Sequence, residues 1–125
     1  MLDSKQALQV VFENHPDFKY YSDYYYDSPE LEVLLCVEMY HFANYIWGLF
    51  IKDESLDFHK LRQILTRFIL EGNERVSGAI TLCFNEALDS LDDEAGKPEY
   101  TRKWLIEMGP ILYYYRPFIL KRRCI

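Results

Sequence analysis

Residues 28–51 read SPELEVLLCVEMYHFANYIWGLFI, and the reading of this stretch decides the fold. Ser28 is a helix-capping residue, Pro29 suits the first helical position, and Glu30 puts a negative charge where the helix dipole is positive. Beyond them, Leu31, Leu34, Leu35, Phe42, Tyr45, Ile46 and Leu49 follow helical spacing, and the apolar residues between them imply burial on more than one side. A central helix ending near Ile51 is expected. Its most apolar run, Phe42 to Ile51, is broken by Asn44 and Gly48 and spans half a bilayer at most, so no membrane crossing is expected.

Outward from that helix the pattern stays helical. Ser4 to Glu13 reads as a short helix capped by Asp3 or Ser4, with Leu8, Val11 and Phe12 as its apolar stripe and His15-Pro16 as its stop. Asp17 to Asp27 fits either a short helix or an irregular aromatic turn. Asp53 or Ser55 can cap a helix to Leu70, with Phe58, Leu61, Ile64, Leu65 and Phe68 inward and Lys60, Arg62 and Arg67 outward. After Glu71-Gly72-Asn73, Asn73 caps a further helix whose face is Val76, Ile80, Cys83, Phe84, Ala87, Leu88 and Leu91. Gly78 there suggests close approach of a neighbour. Asp92 to Gly96 reads as an acidic loop, and Pro98 as the start of a helix carrying Trp104, Leu105 and Met108 up to Gly109-Pro110. Ile111 to Tyr115 forms a last apolar segment, helical or extended. No alternating strand pattern with hairpin turns occurs, so the expectation is all-α: residues 1–125 as one compact bundle of five or six helices.

Composition narrows function. Residues 1–99 hold 19 acids against 8 bases and residues 100–125 hold 1 acid against 6 bases, so the two parts carry −11 and +5 within a net −6. An acidic body repels phosphate backbones and argues against direct nucleic-acid binding, whereas a basic protein partner fits. The start MLDSKQALQVVFEN has no secretory pattern, and Cys36, Cys83 and Cys124 are odd in number and widely spaced. Cytosolic location with three free thiols is therefore expected.

Catalytic patterns are sparse. Glu38-Met39-Tyr40-His41 is the Glu-x-x-His unit of di-iron bundles, but His15 and His59 lack the matching glutamate and a second unit is missing. No zinc spacing, nucleophile elbow or glycine-rich loop is present, so no enzyme activity, metal or cofactor is expected. What stands out is a surface of recognition type. Between Asp17 and Glu38, Tyr20, Tyr21, Tyr24, Tyr25 and Tyr26 lie among Asp17, Asp23, Asp27 and Glu30, with Lys19 as the counter-charge. Tyrosine gives large contact area at low entropy cost and carboxylates give a field, which suits capture of a cationic partner. Three consecutive tyrosines cannot all point inward, so at least one ring should be exposed. Asp89, Asp92, Asp93 and Glu94 form a second acidic candidate.

Gly72-Asn73-Glu74-Arg75-Val76, continuing through Ile80 to Phe84-Asn85-Glu86, with Met108-Gly109-Pro110 and Pro117-Phe118 further on, resembles the small helical immunity proteins of bacterial polymorphic and contact-dependent growth inhibition toxins. The resemblance covers residues 58–120 and rests on caps, an inward face and a helix stop. It implies a non-enzymatic protein that binds a cognate toxin and blocks its active site or the approach to it; a monomer or weak dimer is expected. A basic nuclease domain would complement the acidic tyrosine-rich surface. A helical adaptor without a toxin partner would use the same surface, and a metal-dependent helical enzyme is the remaining alternative.

Overall fold

A computed structural model describes residues 1–27, 33–52, 58–98, 100 and 101, with backbone alone for Tyr26, Asp27 and Phe58. The protein is all-α, as expected, and no strand occurs among the described residues. Helix α1 (Ser4–Asn14) begins with a reciprocal capping box: the Asp3 carboxylate accepts from the Gln6 N–H at 2.8 Å and the Gln6 side chain accepts from the Asp3 N–H at 3.0 Å. Its buried side is Ala7, Leu8 and Val11. Pro16 ends it, and the chain turns through a 3₁₀ segment (Pro16–Tyr20) into the short helix α2 (Asp23–Asp27). The undecided aromatic stretch is thus two short helical pieces.

Helix α3 (Leu35–Ile51) is the central element, but it starts later than its sequence suggests. Ser28, Pro29 and Glu30 lie outside the described residues. Leu34, at φ −91° and ψ 80°, is not helical and makes no capping hydrogen bond. Val33 is buried while Leu34 is 64 % exposed, so Leu34 does not belong to the inward face. That face consists of Leu35, Glu38, Met39, Phe42, Ala43 and Ile46.

Helix α4 (Phe58–Glu71) buries Leu61, Ile64, Leu65 and Phe68 and exposes Arg62 and Arg67, as its spacing requires. Gly72 then has no room for a side chain: a Cβ would collide with the Phe68 carbonyl and the Val76 side chain. This narrow joint receives the N-terminus. The Leu2 N–H donates to the Glu71 carbonyl at 2.8 Å and the Asn73 N–H donates to the Leu2 carbonyl at 2.9 Å.

Asn73 caps α5 (Glu74–Gly78), its side chain accepting from the Val76 N–H at 3.0 Å. A π-helical segment (Ala79–Phe84) and α6 (Asn85–Glu94) follow without a break, because Gly78, Ala79, Phe84 and Asn85 all keep right-handed helical dihedrals. Gly78 serves no close approach, since a Cβ there would meet nothing within 4 Å. The expected acidic loop is also corrected. Asp92, Asp93 and Glu94 form the last turn of α6, and the turn comes at Ala95-Gly96, where Gly96 takes a φ of 69° that favours glycine. The helix expected from Pro98, apart from Pro98, Tyr100 and Thr101, and the apolar segment Ile111 to Tyr115 lie outside the described residues.

The core is continuous, with Phe18, Phe42, Phe68 and Phe84 fully buried and drawn from four different elements. Among the described residues one covalent link ties two of its elements together at the edge: the exposed Cys36, in the first turn of α3, is bonded to the partly buried Cys83 in the π segment. Two of the three cysteines expected to be free are therefore paired, and Cys124 lies outside the described residues. Spacing could not show this, because the partners are 47 residues apart and meet only once α3 packs on the π segment. Closing a loop of that length stabilises the fold by about 4 kcal/mol in the chain-entropy account.

Candidate protein-binding face

The tyrosine-rich segment stays on the surface because single residues within it are anchored. Phe18 is fully buried, its ring 5.2 Å from that of Phe42 and 5.7 Å from that of Phe12. Fixing Phe18 directs its neighbours outward: Tyr20 is 62 % exposed, Tyr21 51 % and Tyr25 50 %. Tyr24, by contrast, packs against the core. The side chains of Tyr26 and Asp27, and all of Glu30, lie outside the described residues. The exposed rings have partial supports of their own, with Tyr21 5.2 Å from Tyr45 and Tyr25 5.9 Å from Phe12. Lys19 holds its ammonium 5.1 Å from the Tyr20 ring centre, a cation–π contact.

Helix α3 clamps this segment through the Glu-x-x-His unit. Glu38 is 2 % exposed and one carboxylate oxygen accepts from the Tyr24 N–H at 2.8 Å, while Ser22 Oγ accepts from the Tyr25 N–H at 3.2 Å. Two N–H groups of the first turn of α2, which have no partner within the helix, are satisfied in this way. The other Glu38 oxygen has no hydrogen-bond partner among the described residues. One turn on, His41 Nε2 lies 2.8 Å from Asp23 Oδ2. The pair resembling half a metal site is therefore occupied in holding α2 onto α3. Among the described residues no three His, Cys, Asp or Glu side chains gather closely enough to hold a metal ion.

Glu38, His41, Tyr45, Gly48 and Lys52 follow one another at steps of three and four, so they form one stripe along α3. Its first half is covered by α2. Its second half is open, and with Asn44, Leu49, Asp17, Tyr20 and Tyr21 it borders a groove of about 620 Å³. Asp17 is exposed and makes no ion pair or hydrogen bond among the described residues. The structure thus brings Asp17, Tyr20 and Tyr21 together with Tyr45, Gly48 and Lys52, which sequence reasoning did not assign to a site. The signal for Gly48 was there: a glycine inside a helix where nothing in the pattern asks for one.

The second acidic candidate divides. Asp93 and Glu94 are exposed and Asp89 is partly buried, but Asp92 is fully buried and is not part of any surface. Its carboxylate accepts from Trp47 Nε1 at 3.0 Å, the Thr101 N–H at 3.0 Å and Thr101 Oγ1 at 2.7 Å. This tie joins α3, α6 and the segment beyond Gly96.

Compared with family models, with curated proteins and with solved structures, the chain matches none. Among the described residues no helix is long and apolar enough to cross a membrane.

Proposed function

We propose that this protein is an immunity protein: a non-enzymatic inhibitor that binds a cognate bacterial toxin, a basic nuclease, through its acidic tyrosine-rich face. The observation that carries the reading is the exposure of Tyr20, Tyr21 and Tyr25 on a segment anchored by Phe18 and Glu38. A protein with no use for these rings gains nothing by holding three of them half in water, whereas at an interface such rings are the residues that contribute most. The anchoring matters equally, because a preformed surface loses little freedom on binding. The charge of −11 over residues 1–99 attracts a cationic cleft at long range.

We place its action in the cytosol, where such a toxin would act. The Cys36–Cys83 bond runs against this placement, since reducing compartments rarely keep disulfides. Trapping cell extracts with an alkylating reagent and counting modified cysteines tests location separately from binding.

The functional test is co-expression with the product of the gene immediately upstream, which the reading expects to encode a toxin. Cells should survive with the wild-type protein, and a complex should persist as salt is raised, because a buried aromatic centre is not screened. A complex that dissolves with modest salt, or no rescue, would turn the reading toward the adaptor.

A further inference from the structure

We propose that the open half of the α3 stripe is a slot for one arginine side chain of the protein partner; this deepens the inhibitor reading above and rests on it. The argument begins with Gly48. It lies inside α3, has no positive φ, and a Cβ built on it would meet nothing within 4 Å. Neither backbone nor packing therefore calls for glycine, although glycine is the poorest helix former short of proline. What the missing side chain provides is depth, because Gly48 forms part of the lining of the groove of about 620 Å³ between α3 and the 3₁₀ segment.

The lining selects the occupant. Tyr20, Tyr21 and Tyr45 offer phenol rings, and the flat guanidinium of arginine stacks on such rings more readily than a compact ammonium does. Asp17 offers a carboxylate with no ion pair among the described residues, able to accept two parallel N–H bonds from that guanidinium. Lys19 already rests over Tyr20, so one of these rings holds a cation in the free protein. Among the described lining residues Lys52 is the only base, and its repulsion orients the arginine toward Asp17. The same lysine would draw a carboxylate instead if the slot served an acidic partner, and the strongly negative body argues against that.

The binding arm of the test needs no toxin, and the toxin rescue described above is its second arm. Isotope-labelled protein is titrated into the millimolar range with N-acetyl-arginine amide, with its neutral citrulline analogue, and with N-acetyl-glutamate amide, following backbone amide shifts. The expected result is a saturable response confined to Tyr20, Tyr21, Tyr45 and Gly48, about tenfold weaker with citrulline and absent with glutamate. Gly48→Phe, which fills the slot, should abolish it while the unfolding midpoint is retained. Asp17→Asn should weaken it and Lys52→Glu should strengthen it. No response at these residues, equal binding of citrulline, preference for glutamate, or full binding by a folded Gly48→Phe would overturn the proposal. Arginine binding without toxin rescue would defeat the inhibitor reading alone, and rescue that survives Gly48→Phe would defeat the slot alone.

Discussion

Asp17–Asp27 and Asp89–Glu94 are both short, carboxylate-rich stretches, and both border α3, yet their acids do opposite work. In the first, Asp17 is exposed with no ion pair among the described residues, and Asp23 pairs with His41 near the surface. In the second, Asp92 is sealed inside and accepts three hydrogen bonds. The difference comes from available donors. Trp47 and Thr101 present N–H and O–H groups that would be costly to bury alone, so a carboxylate beside them is drawn inward. Around Asp17 the groove lies open to solvent and no buried donor is hydrogen-bonded to it among the described residues, so the charge stays out. An acidic run is a surface only where the fold offers it no buried donors.

The contrast is broken most directly at Asp92. Asp92→Ala should destabilise the protein by about 3 kcal/mol, because the Trp47 and Thr101 donors lose their acceptor in the interior. Asp93→Ala and Glu94→Ala should stay within about 0.5 kcal/mol in the same denaturant titration. A mild effect at Asp92 would erase the distinction between the clusters. Next in size, Tyr20→Ala or Tyr21→Ala should weaken toxin binding by about 2 kcal/mol with little change in stability, read by calorimetry against the cognate domain. Tyr24 is a poorer probe, since its truncation also removes core contacts.

A smaller loss sharpens the picture of how the exposed segment is held. Glu38→Ala should cost about 1 kcal/mol and speed hydrogen exchange at the Tyr24 amide, which loses its acceptor. The smallest effect has the opposite sign. Gly48→Ala should raise stability by somewhat under about 1 kcal/mol, since the methyl enters open space on a helix.

Features set by neighbouring residues were legible in the sequence. Asp3 and Asn73 act as caps where their local patterns place them, and Leu61, Ile64, Leu65 and Phe68 bury as their spacing demands. Features set by distant residues were not. Nothing near Asp92 marks it as buried, because its donors come from positions 47 and 101. The Cys36–Cys83 pair depends likewise on α3 lying across the π segment. The helix expected to run unbroken from Ser28 is not helical at Val33 and Leu34, where Val33 is buried and Leu34 is exposed. At the candidate site, exposure of at least one tyrosine followed from geometry, but the groove did not, since it joins residues 17–21 to residues 44–52.

The bond between Cys36 and Cys83 has a topological consequence. Everything between them is one closed ring of chain, with α4 and the Gly72 joint inside it. A protease that cuts once within that ring produces no free fragment: the halves remain one molecule, migrate together on a gel without reductant, and part only when the sulfurs are separated.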